Sequence, residues 1–132
     1  MNQPISRQQH AIPEFTIITA LTTAPAVADF SHDKTASTVA YTMAGAALLS
    51  SLFTRAEWGV FKVLPYKAHL AIDVVSTLSA LAAPWLFGFA RHTRARNAFL
   101  AIGTAGAVAT LLSRPEEMPA YADETSLADA QR

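Results

Sequence analysis

TASTVAYTMAGAALLSSLFT, residues Thr35–Thr54, runs for twenty positions without a charged side chain. An α-helix rises 1.5 Å per residue, so about 20 mostly apolar residues cross the roughly 30 Å hydrocarbon core of a bilayer. This stretch meets that requirement outright. A helix on a soluble surface carries polar residues every third or fourth position, and here that pattern is missing. Three more charge-free runs accompany it: Phe15–Ala28, Val74–Ala90 and Asn97–Ser113. Val74–Ala90 reaches spanning length by starting near Leu70 and taking Asp73 into its outer part. Asn97–Ser113 does so if Arg96 and Arg114 snorkel to the headgroups. Phe15–Ala28 is the short one, threonine-rich and bracketed by Glu14 and Asp29. The reading is all-α, a four-transmembrane-helix bundle. A soluble four-helix bundle is the alternative, disfavoured because the segments are rich in Ala, Thr and Ser rather than Leu.

Composition agrees. Of 132 residues, 52% are hydrophobic and 15% charged, where soluble domains average about 25% charged. Ten basic and ten acidic side chains cancel, which leaves no field to hold nucleic acid. Without cysteine there is no disulfide, thiolate nucleophile or Cys-ligated metal.

Outside the bundle, residues 1–12 read as a polar tail and 115–132 as an acidic, solvated one. Pro13-Glu14 and Pro65 have the chemistry of helix starts, since proline lacks only an orphan N–H there. The Ala26-Val27-Ala28 sequence imitates a signal-peptidase site, but a single Arg7 and a short threonine-rich run before it argue against cleavage. Ala56–Tyr66, with Trp58, Val60, Phe61, Val63 and Leu64, suits either an interfacial segment or a packed connection.

A shift of 59 residues lays Ala24-Pro25 on Ala83-Pro84, Phe30 on Phe89, Ala36 on Ala95, Arg55 on Arg114 and Glu14 on Asp73. The matches mark a proline before each hairpin, an aromatic at its turn and a basic stop after it. Residues 13–114 then divide into two helical hairpins, 14–55 and 73–114. Two crossings return each hairpin to its starting side, so the halves are parallel repeats about an axis along the membrane normal.

The second half, with Ala83-Pro84-Trp85-Leu86-Phe87-Gly88-Phe89, then Arg96-Asn97-Ala98 and Ile102-Gly103, resembles the SPW repeat of small bacterial integral membrane proteins. The first half keeps Ala24, Pro25 and Phe30, with Ala26 in the tryptophan position and Asp29 in that of Gly88. The resemblance implies a four-helix membrane domain and no reaction.

Pro84 is expected to kink or end the third helix, with Trp85, Phe87 and Phe89 as an aromatic anchor at that membrane face. Ala36, Ala40, Ala44, Ala47 and Ser51 form one small-residue stripe, and Ala98, Ala101, Ala105 and Ala109 another. These are expected as the inner seam, or as a homodimer face. His69 and Asp73 lie one turn apart as an ionisable pair. Asp73 either complements the helix dipole in a first turn or sits deep enough to handle protons. His32 and His92 fall in the two hairpin turns. There is no His-x-x-x-His pair, phosphate loop or nucleophile elbow, so no catalytic residue, metal or cofactor is expected.

The expected function is a small non-catalytic integral membrane protein, partnered by lipid and by a second copy or another membrane protein. The alternative is a proton-coupled carrier using Asp73 and His69. Arg7, Arg55, Lys62, Lys67 and Arg114 at one end outnumber Lys34, Arg91, Arg94 and Arg96 at the other. That margin places both termini in the cytoplasm of a cell whose inner membrane holds the protein.

Overall fold

In the computed structural model, which describes residues 2–132 apart from the side chains of Thr125, Ser126 and Ala128, helix α1 (Arg7–Val27) opens on Ser6. The Ser6 hydroxyl accepts from Gln9 N, and the Gln9 side chain accepts from Ser6 N, a reciprocal capping box. The start expected at Pro13 is therefore displaced by two turns, and Pro13 and Pro25 both lie inside the helix. Helix α2 (Lys34–Phe53) is capped by the Asp33 carboxylate, which accepts from Ala36 N at 3.0 Å. Helix α4 (Thr93–Leu111) is capped in the same way by His92, whose Nδ1 accepts from Ala95 N at 3.3 Å.

Helix α3 (Tyr66–Leu86) has no local side-chain cap. Its first amides are instead met from the far end of the chain: Tyr66 N and Lys67 N donate to the two carboxylate oxygens of Glu117, at 3.0 and 2.9 Å. A carboxylate suits the positive end of a helix. So the C-terminal segment, expected as a free tail, has a structural role where it leaves the bundle. It continues into a 3₁₀ turn (Pro119–Tyr121) and a short helix α5 (Ala122–Ala130).

The α1–α2 and α3–α4 hairpins are the most extensive pairings, and α1–α4 and α2–α3 contacts close the ring. Helices α1 and α3 thus face each other across the axis. At one end, the tight turns need a left-handed residue, supplied by Asp29 (φ 55°) and Gly88 (φ 79°). Aspartate is one of the few side chains that tolerates this conformation. Phe30 and Phe89 turn inward and pack near Phe99, with ring centroids 6.4 and 5.0 Å away. Phe89 belongs to the core rather than to the expected outer anchor, whereas Trp85 and Phe87 are exposed.

At the other end, Ile5 N donates to Leu112 O and Arg114 N to Ile5 O, at 3.0 and 2.9 Å. The same pattern recurs 59 positions away: Leu64 N donates to Phe53 O and Arg55 N to Leu64 O, both at 2.8 Å. Both ends of the helical domain and the 54–65 connection share this side. In that connection Trp58 is half-buried, while Val60, Phe61 and Val63 are exposed.

The α2 stripe faces inward at Ala36, Ala40, Ala44 and Ser51. On α4 the inner face is Ala95, Phe99, Gly103, Gly106 and Ala109. Ala101 and Ala105, expected inside, point outward. The helix turned because its glycines pack closest: a Cβ on Gly103 would lie 2.9 Å from Leu81 Cγ, and one on Gly106 2.6 Å from Thr77 Cγ2.

Helices α2 and α3 are long and apolar enough to cross a membrane. Only 28% of either apolar window is buried within the bundle, so much of the apolar surface faces out.

Candidate functional site

Within the first two turns of α1 and α3, four ionisable side chains converge on the bundle axis. His10 and Glu14 come from α1, one turn apart, and His69 and Asp73 from α3 with the same spacing. Asp73 is the eighth residue of α3, about 10 Å along its axis, and not in the first turn that would suit a dipole-complementing carboxylate. His10, Glu14 and His69 are buried, and the Asp73 side chain is 12% exposed. One ligand atom from each of the four lies within 4.8 Å of the others.

Asp73 Oδ2 is the hub. It lies 3.1 Å from His10 Nε2 and 3.3 Å from His69 Nε2. Glu14 Oε2 is 3.8 Å from His10 Nε2, while its Oε1 accepts from the Ser51 hydroxyl at 2.5 Å. Among the described residues, no Lys or Arg pairs with either carboxylate. Behind each imidazole stands a hydroxyl: Ser113 Oγ at 2.7 Å from His10 Nδ1, and Thr54 Oγ1 at 3.0 Å from His69 Nδ1. Ser50 Oγ also approaches His69 Nδ1 at 3.0 Å.

These partners come in pairs separated by 59 positions: His10 and His69, Glu14 and Asp73, Thr54 and Ser113. The sequence alone pairs Glu14 with Asp73 but leaves His10 in a polar stretch, and a His-x-x-x-His pattern does not find it. The signal is His-x-x-x-Glu and His-x-x-x-Asp at that same offset.

An aromatic and ionic cover closes the site toward the chain ends. Tyr66 stacks on His69 with centroids 5.9 Å apart, and the Trp58 ring lies 5.3 Å from His69 and 6.3 Å from His10. Trp58 Nε1 donates to Arg7 O at 3.2 Å. Arg7 grips Glu57 with two hydrogen bonds, 3.0 Å from Nε and 2.6 Å from an Nη, and its other Nη donates to Glu116 O and Glu117 O. The Arg7 guanidinium holds the Glu57 carboxyl below its ordinary range.

On the other side, a cavity of about 50 Å³ runs from the tetrad along the axis between Ile17, Leu21, Met43 and Ala80. A water needs about 10–15 Å³ of such space, so the cavity has room for a few waters or for an ion with its waters. At the opposite end, His32 and His92 meet through Nε2 atoms 3.2 Å apart, exposed at the hairpin turns. Arg94 pairs with Asp29 beside them.

Set against protein-family models, curated proteins and solved structures, the chain gives no match.

Proposed function

We infer that this chain is a small integral membrane protein of four crossings, built from two parallel helical hairpins of SPW-repeat type, whose interior tetrad handles a cation. The observation that carries this is the tetrad itself: two carboxylates and two imidazoles from the first two turns of opposite helices, with His10, Glu14 and His69 buried. Ionisable groups are costly inside a membrane bundle and mark ion pathways or ion sites. A structural carboxylate would sit at a helix end with a Lys or Arg partner, and among the described residues neither Glu14 nor Asp73 does.

Membrane insertion draws support from the outward faces. Tyr41, Leu48, Leu49 and Phe53 on α2, and Val74, Val75, Leu78 and Trp85 on α3, are exposed. Helix α1, the polar one, hides its hydroxyls. Thr16, Thr19, Thr22 and Thr23 are exposed, yet each donates to the carbonyl four residues back at 2.7–2.8 Å. A threonine so bonded presents lipid with a methyl group. The repeat draws support from contacts that recur at 59 residues: the capped turns, the left-handed Asp29 and Gly88, and the Ile5 and Leu64 pairings. The SPW resemblance rests on residues 83–89 and 96–103. Positive residues near the helix ends favour termini in the cytoplasm of a cell bounded by this membrane.

A second reading, a non-catalytic assembly partner in the bilayer, is favoured by the small outward residues Gly45 and Ala46 on α2 and Ala101 and Ala105 on α4. Such surfaces allow a second copy or another membrane helix to approach closely.

Carbonate extraction at high pH tests insertion. The chain is expected to stay with the membrane pellet, and release into the supernatant without detergent would overturn the reading.

A further inference from the structure

We propose that His10, Glu14, His69 and Asp73 bind one divalent transition-metal ion of the zinc class, each giving one ligand atom from the two halves of the chain. This deepens the cation reading of the tetrad and rests on it.

The protons come first. The Ser113 hydroxyl donates its single hydrogen to Ala109 O at 2.7 Å, so toward His10 Nδ1 it can only accept. The Thr54 hydroxyl likewise donates to Ser50 O at 2.6 Å and accepts from His69 Nδ1. With its hydrogen on Nδ1, each imidazole presents a lone pair at Nε2, and Ser50 Oγ, 3.0 Å from His69 Nδ1, then accepts beside Thr54. In that tautomer both lone pairs face Asp73 Oδ2. His69 Nε2 is buried and makes no hydrogen bond. Acceptors gathered around a point call for a cation at that point. Hydroxyls behind the ligating histidines are the outer partners that orient metal-bound imidazoles.

Distances agree. For tetrahedral zinc with bonds of about 2.0–2.2 Å, ligand atoms stand roughly 3.3–3.6 Å apart. The tetrad offers 3.1, 3.3 and 3.8 Å, with the remaining separations under 4.8 Å. A small contraction around one ion closes that set.

Charge agrees as well. Two carboxyl groups face an interior that, among the described residues, holds no Lys or Arg partner for them. A single divalent ion neutralises both carboxylates and satisfies both lone pairs. Two nitrogens and two oxygens suit zinc and its first-row neighbours better than calcium or magnesium, which take oxygen.

The full chain, purified from membranes in mild detergent and stripped with chelator, would be titrated with Zn²⁺ and with Co²⁺. One Zn²⁺ per chain is expected by elemental analysis. Co²⁺ is expected to give the intense visible bands of a tetrahedral site, displaced by Zn²⁺. Asp73→Asn and His69→Gln should weaken Zn²⁺ binding at least about 100-fold, and Ser113→Ala about 10-fold. A folded, monodisperse wild-type chain that binds no Zn²⁺ and gives only octahedral Co²⁺ would overturn the proposal. That measurement needs no variant, so a substitution that fails to fold does not blur it. Absence of metal in a chain still resistant to carbonate defeats the metal alone. Metal bound by a chain that carbonate releases defeats the membrane reading and keeps the site.

Discussion

Arg7 and Glu57 join the first helix to the 54–65 connection just outside the tetrad, and the pair is sensitive to acid. Because the folded chain holds the Glu57 carboxyl below its ordinary range, the pair stabilises above that range and loses its effect as pH falls through the lowered value. Thermal unfolding in detergent is expected to show wild type losing more stability than Glu57→Gln between roughly pH 5 and pH 3. Equal losses in both proteins would remove Glu57 from the acid response. His10 carries another lesson at this scale. It sits in a stretch of polar residues, Gln8-Gln9-His10, that looks like a tail when read alone. Its role depends on the cap at Ser6, which starts the helix early, and on Asp73, sixty-three residues away. Only the offset linking it to His69 was visible in the letters.

At the scale of elements, the two apolar helices were the most legible. The charge-free run Thr35–Thr54 became α2, Lys34–Phe53, and Pro65 fell at the cap of α3. Hydropathy marks these because their outward-facing and core-facing residues are both apolar. The same property hid the inner face of α4: with small residues all round, periodicity could not tell Ala101 and Ala105 from Gly103 and Gly106. Contact with Leu81 and Thr77 made that choice. Gly103→Ala should therefore cost about 1–3 kcal/mol through overpacking between α3 and α4. Gly45, on the outer face of α2 with nothing within 4 Å of a Cβ, is the control. Gly45→Ala should raise helix stability by about 0.5–1 kcal/mol. Thermal midpoints in detergent check both, and a Gly103→Ala chain as stable as wild type would contradict the close packing described for α4.

For the whole molecule, the ring of four helices puts α1 opposite α3, so one ligand pair from each half meets on the axis. Termini and the 54–65 connection lie on the side nearer the tetrad. C-terminal reporter fusions are expected to fluoresce in the cytoplasm and show no periplasmic phosphatase activity, since five basic residues stand at that end against four at the other. The opposite result would put the tetrad near the outer face. Whether both halves ligate one ion inside the bundle is decided by zinc-edge X-ray absorption on the full chain in lipid vesicles. Four nitrogen and oxygen neighbours are expected at about 2.0–2.1 Å, with outer scattering from two imidazoles, falling to one in His10→Gln. A six-oxygen shell without imidazole scattering would contradict ligation by the two halves.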